Sequence, residues 1–166
     1  MNKKQKGFSL IELLIVVAII LIIAAIAIPN LMRSRMAANE SSAVGSVRTI
    51  NTAQVTYAAN YPDTGYAANL TSLGGAVGAC APGTSGTTTA ACLIDPTLSR
   101  GNKSGYSFAV SGGVQGGGPI NNVYTVIGVP QAIGSTGQRG FFSDQSGVSR
   151  YTLDGSAPTA AASPLQ

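Results

Sequence analysis

Leu13 to Ile28 is an unbroken run of sixteen apolar residues, LLIVVAIILIIAAIAI, and no charge appears between Leu13 and Met32. As a helix rising about 1.5 Å per residue, those twenty positions span roughly 30 Å, the thickness of a bilayer's hydrocarbon core. The run is apolar on every side, which excludes a surface helix with one wet face. A buried central helix is a poor alternative, because a chain of 166 residues can hardly enclose it all round. The segment therefore belongs in lipid or among other apolar helices, and the rest of the chain must build its core without it.

Charge and residue usage narrow the function. Charged residues make up only 10% of the chain, against about 25% in an average soluble domain. Ten Lys/Arg against six Asp/Glu give +4, but Lys3, Lys4 and Lys6 crowd the N-terminus and the other cations are scattered. That is no nucleic-acid footprint, and no specific nucleic-acid partner is expected. The chain has no histidine, which removes Ser-His-Asp and Cys-His nucleophilic machinery and the commonest metal ligand. With two cysteines besides, neither an enzyme nor a structural zinc site is expected. The loop Gly112–Pro119 is rich in glycine, but no Gly-Lys-Ser/Thr follows it and no G-x-G-x-x-G register fits, so it is not a nucleotide site.

Two processing signals compete at the N-terminus. One is a secretory signal peptide, with three lysines, an apolar stretch and Ala25-Ile26-Ala27 as a small-x-small cleavage site. The apolar run is longer than the usual limit of about 15 residues. Glu12 also stands where the basic and apolar parts meet, and a carboxylate carried unpaired into lipid costs a few kcal/mol. The other reading comes from Lys6-Gly7-Phe8-Ser9-Leu10-Ile11-Glu12-Leu13-Leu14-Ile15-Val16-Val17-Ala18-Ile19-Ile20, continued by Ala24-Ala25-Ile26-Ala27-Ile28-Pro29-Asn30. This segment resembles the class III leader and N-terminal helix of type IV pilins and type II secretion pseudopilins, over Lys3 to about Leu31.

The resemblance implies that a prepilin peptidase removes residues 1–7 by cutting between Gly7 and Phe8. Phe8 then becomes the N-methylated first residue. Residues 8–32 stay on the mature chain, first as an inner-membrane anchor and then as filament core. Glu12 has two readings. Ser9-Leu10-Ile11-Glu12 fits a capping box. By resemblance, Glu12 instead pairs with the Phe8 α-ammonium of a neighbouring subunit; methylation keeps that charge, and low dielectric strengthens the pair. Many relatives carry glycine in mid-segment, where this chain reads Ala18-Ile19-Ile20-Leu21-Ile22. Any unwinding is therefore expected nearer Pro29, which lacks a helical N–H and disfavours helix at Ile28.

Residues 33–61 continue as an amphipathic helix. Ala43, Val47, Ile50, Tyr57 and Tyr61 form the apolar stripe, Gln54 interrupts it, and Pro62 stops it. One helix of about 50 residues with a break near Pro29 is the expectation, with Arg33, Arg35 and Glu40 as interfacial anchors and solvated charges where it leaves the membrane, or as partners in filament salt bridges. Residues 62–105 read as loop, with a short turn at Leu70–Leu73. Cys80 and Cys92 lie in it; a head outside the inner membrane would carry them as a disulfide and a reducing compartment as free thiols.

Residues 106–155 read as four strands: Tyr106–Val110, Val123–Val129, Arg139–Ser143 and Val148–Thr152. They should form an antiparallel meander with one face on the helix. Residues 156–166 read as a flexible tail. Calcium sites in major pseudopilins use a carboxylate-bearing loop, but here only Asp144 and Asp154 lie near a turn, too few for six to eight oxygens. No metal or cofactor is expected.

The fold expectation is thus α+β: a pilin fold, with a long N-terminal helix on a small antiparallel sheet. The resemblance implies a homo-oligomeric helical filament, served by prepilin peptidase/methyltransferase and pilus assembly machinery. It would be drawn from a single-pass inner-membrane pool and end on the cell surface. A type IV pilus subunit is favoured over a secretion pseudopilin, and a monomeric membrane-anchored binding module is the reading from another class.

Overall fold

The computed structural model describes residues 8–165. Contacts divide the chain after Arg35 into an N-terminal unit and a larger unit from Met36 onward, which is called the head below. Helix α1, Leu10–Asn60, is 51 residues long and carries through both.

The break expected at Pro29 is absent: Pro29 sits inside α1. A proline at this position deletes the one bond its N–H would give to the Ala25 carbonyl. Ala24, Ala25 and Ala27 on one side and Leu31 and Met32 on the other are strong helix formers. Once a helix is established on both sides, one missing bond does not stop it. In the next turn Ser34 Oγ donates to the Asn30 carbonyl, 3.0 Å away.

In the head, α1 buries a stripe at the expected spacing. Ala43, Val47, Ile50, Ala53 and Tyr57 are covered, and Tyr61 packs at the edge of the cluster. Gln54 is buried among them rather than marking a gap. Two short helices follow in the region read as loop: α2, Leu70–Gly74, and α3, Pro96–Ser99. Asn69 caps the first by accepting from the Ser72 N–H at 2.9 Å, and Asp95 caps the second from the Leu98 N–H, also at 2.9 Å. They add Leu70, Leu73 and Leu98 to the core. The expected turn at Leu70–Leu73 is α2; α3 was not expected, although Asp95-Pro96 supplies an N-cap followed by proline at the first helical position.

The sheet has six strands in sequential order, all antiparallel, rather than four. They are β1 Asn102–Lys103, β2 Tyr106–Gly113, β3 Val123–Pro130, β4 Gly140–Asp144, β5 Arg150–Thr152 and β6 Ser163–Pro164. The middle four lie within two or three residues of the four expected segments. The two added strands are two-residue edges, too short to show any alternation. Register puts Phe108, Gly128, Phe141, Tyr151 and Ser163 in one cross-strand row. Phe108, Phe141, Tyr106, Tyr124 and Val126 join the α1 residues in the core. Gly137 is needed beside this core: a Cβ there would run into the Tyr106 ring and hydroxyl.

Residues 156–165, expected as a flexible tail, fold back onto the sheet. β6 pairs with β5, and the Leu165 N–H donates to the Ser149 carbonyl at 2.7 Å. Pro158 is buried. A Cβ on Gly140 would strike the Ser156 carbonyl, so only glycine lets the segment lie this close to β4. An Ala-, Pro- and Ser-rich composition without strand-like alternation hid this return, which is held by the β5–β6 pairing, by Leu165 against the core, and by bonds from Arg150 and Thr152 to its carbonyls.

Candidate functional site

The N-terminal unit is defined by what it leaves uncovered. Every large apolar side chain from Leu10 to Met32 is exposed in the single chain, and Phe8 is 85% exposed. The helix is long and apolar enough to cross a membrane, and none of its most apolar window is buried. Water does not tolerate such a surface: each fully buried Leu or Ile side chain is worth roughly 1.5–3 kcal/mol. More than a dozen of them exposed together mark an interaction surface, for lipid or for other helices.

At its start, Glu12 does what the capping box requires. The Ser9 N–H donates to Glu12 Oε2 at 3.1 Å, and the Leu13 N–H donates to the Ser9 carbonyl at 3.2 Å. Half of the reciprocal box is therefore present. Glu12 Oε1 accepts nothing among the described residues, so the carboxylate keeps an open side while it caps its own helix. The cleavage position and the leader, residues 1–7 with Gly7, lie outside the described residues.

The head is held by polar contacts that sequence spacing could not reveal. Glu40, expected as a solvated charge, is buried, with 7% of its surface exposed. Its Oε1 accepts from the Gln138 N–H at 2.8 Å and the Arg139 N–H at 3.2 Å, and its Oε2 from Arg139 Nε at 2.7 Å. Burial pushes the carboxyl pKa up, but the bonds from Gln138 and Arg139 together outweigh it and hold the group below its usual range. The Arg139 guanidinium also lies 6.0 Å from the Phe141 ring centre and 5.8 Å from that of Tyr151.

Gln54 bridges to the loop after α1: its Nε2 donates to the Ala67 carbonyl at 3.1 Å, and its Oε1 accepts from the Ala67 N–H at 2.8 Å. Asn51 donates to Ser143 Oγ at 2.7 Å and accepts from the Tyr124 hydroxyl at 3.3 Å. Burial pushes the Tyr124 phenol up to about 12, with Tyr66 and Asp144 adding to it. Tyr106, beside Glu40 and donating to the Arg139 carbonyl at 2.9 Å, is likewise pushed up to about 12, mainly by burial. Both phenols stay neutral and work as donors. The partners of Glu40 lie 98 and 99 positions away in sequence, and those of Asn51 lie 73 and 92 away. Gln54, which interrupts the α1 stripe, was the one polar residue whose position hinted at such a contact; nothing in the spacing of Glu40 or Asn51 did.

Cys80 and Cys92 form a disulfide, with their Cα atoms 5.6 Å apart. Tyr57 ties the enclosed loop to α1, its hydroxyl donating to the Thr88 carbonyl at 2.6 Å. Asp144 and Asp154 do not meet. Each accepts from the N–H and hydroxyl of the serine two residues on, Ser146 and Ser156. That is turn chemistry. Among the described residues no three His, Cys, Asp or Glu side chains converge.

A long N-terminal helix packed on a six-stranded antiparallel sheet is an α+β arrangement consistent with the pilin fold. Residues 2–28 match the family described as the prokaryotic N-terminal methylation motif. Over 56 residues the chain is 46% identical to the type IV major pilin protein PilA of Myxococcus xanthus, a match covering 34% of this chain and 26% of that relative. Over 39 residues it is 59% identical to the type IV wide pilus major component PilA4 of Thermus thermophilus, covering 24% of this chain and 30% of the relative. The chain thus matches less than a third of the length of these relatives. No solved structure matches it. These likenesses support the type IV pilin family.

Proposed function

We propose that the chain is a structural subunit of a type IV pilus filament. The observation that carries this reading is the coincidence, in one segment, of the methylation motif with a helix whose apolar surface is bare all round. Such a surface is covered by lipid in a membrane-anchored precursor and by neighbouring helices in a polymer. Moving from one to the other conserves hydrophobic burial, so packing, the Glu12 pairing and an external motor must drive assembly. Cleavage between Gly7 and Phe8 and N-methylation of Phe8 belong to the same reading.

The capping bond is compatible with the pairing role. Glu12 Oε2 takes the in-chain Ser9 N–H, and the open Oε1 is free for the Phe8 α-ammonium of a second copy. The two readings of Glu12 are then complementary: the in-chain bond sets the carboxylate's orientation, and the intermolecular one sets subunit height.

The test is electron microscopy of surface material sheared from cells expressing the wild-type chain or Glu12→Ala. Wild-type cells should yield filaments built of this chain. The variant should be processed to the same mature mass but yield few filaments, with a loss of about tenfold or more for a low-dielectric ion pair repeated at every subunit. Normal filament yield from Glu12→Ala would remove the pairing role, and absence of wild-type filaments would remove the filament reading itself.

A further inference from the structure

A groove of about 520 Å³ lies in the head between one face of α1 and the end of the chain. It is lined by Ala37, Ser41, Val44 and Gly45 on the helix, with Arg48, Arg139 and Leu165 at its rim. Nothing in the chain fills it at Gly45, where a Cβ would meet no atom within 4 Å. A mid-helix glycine costs roughly 1 kcal/mol relative to alanine, and no contact among the described residues explains this one.

Charge says what would sit there. Glu40, at the floor, has both oxygens occupied by the Gln138 and Arg139 donors. Arg48 is exposed, and neither ion pair of the head includes it. Among the described residues, the groove therefore offers a guanidinium without an acceptor beside a second, Arg139, whose side chain has only its Nε engaged. Its complement is a carboxylate without a donor. Among the described residues of the head Asp95 is bonded to Lys103, Asp144 to Ser146 and Asp154 to Ser156. Asp63 alone has neither an ion pair nor a side-chain hydrogen bond, and it is exposed just beyond the end of α1.

Arg48 and Asp63 cannot meet within one copy, since the helix between them places Asp63 roughly 20 Å further along. A second copy displaced along the helix axis brings them together. Resting on the filament reading above, we propose that this groove receives the turn after α1 of another copy, with Asp63 pairing with Arg48. The contact joins two different surfaces of the same chain. It is heterologous and repeats without closing, which is the geometry of an open helical polymer. Val44 and Leu165 supply apolar cover beneath the ion pair, and the missing side chain at Gly45 admits the incoming backbone.

The experiment is a charge swap in cells that make filaments of the wild-type chain. Arg48→Asp and Asp63→Arg should each lower sheared filament yield by about tenfold through like-charge repulsion, and the double swap should restore it to within about threefold. In a second arm, filaments of Arg48→Cys/Asp63→Cys should give an intermolecular disulfide ladder on oxidation. Unchanged yield from both single reversals, a double swap no better than the singles, or intact filaments without a ladder would each overturn the contact. Wild-type cells without filaments would instead overturn the filament reading on which it rests.

Discussion

The N-terminal unit and the head solve the same problem in opposite ways. From Leu10 to Arg35 the chain is one helix whose large apolar side chains are exposed, with no internal cover among the described residues. From Met36 on, apolar side chains at helical and strand spacing turn toward one another and close a core of α1, α2, α3 and the sheet. Hydrophobic residues are abundant in both, so composition does not separate them; periodicity does. A stripe that occupies one face can be covered by the chain's own sheet, whereas a surface that runs all round a helix needs cover from outside.

The largest test of this contrast is to make the same truncation in both places. Ile50 is fully buried in the head, and Ile50→Ala should cost about 2–4 kcal/mol through lost transfer energy and the cavity left behind. Leu21 is 63% exposed in the single chain, and Leu21→Ala should leave the head's thermal unfolding unchanged within about 0.5 kcal/mol. Near-UV circular dichroism of the full chain in detergent reads both. A comparable loss from the two substitutions would mean that the N-terminal helix contributes to the head's own stability, and the contrast would fail.

The next test concerns how the head tolerates polar groups where the N-terminal unit has none. Gln54→Leu keeps the volume of a fully buried side chain but strands the N–H and carbonyl of Ala67, both of which Gln54 engages. The expected loss is about 1–3 kcal/mol, the cost of buried backbone groups left without partners. A leucine that stabilised the head would show that the site is an ordinary apolar position and that the loop finds other partners.

Much of this architecture was legible in the residues. The apolar run, the helical stripe Ala43, Val47, Ile50, Tyr57, and four strands read from alternation, β-branched and aromatic content and turn residues are all local signals, and each stands close to where it was placed. What stayed hidden was of two kinds. Glu40 looked like a solvated charge because its partner Arg139 is ninety-nine positions away, and pairings of that range follow from topology rather than spacing. β6 and the return of residues 156–165 rest on backbone pairing and on isolated side-chain contacts such as Leu165 on the core and Arg150 to the Ala162 carbonyl, which leave no periodic mark in the sequence. Pro29 failed in the other direction: a local rule was read correctly, but one missing bond was outweighed by helix on both sides.

Glu40 provides the finest test, because it is a charge that the head keeps buried. Its carboxyl is held below its ordinary value of 4.5 by the Gln138 and Arg139 donors acting against burial. A depressed folded-state pKa means that the unfolded chain takes up the proton first. The stabilisation is therefore complete above about pH 4.5 and drains away as pH falls through the lower, folded-state value. Glu40→Gln retains the shape but loses the charge and one acceptor oxygen. It should lower the head's Tm near neutral pH and converge on the wild type as pH falls below 4.5. The effect should be smaller than that of Ile50→Ala, since the Arg139 side chain is 39% exposed and solvent screens the pair. A gap in Tm that stayed constant from pH 7 to pH 3 would show that Glu40 acts through shape and neutral hydrogen bonding alone, and the ionised clamp between α1 and the residues entering β4 would have to be given up.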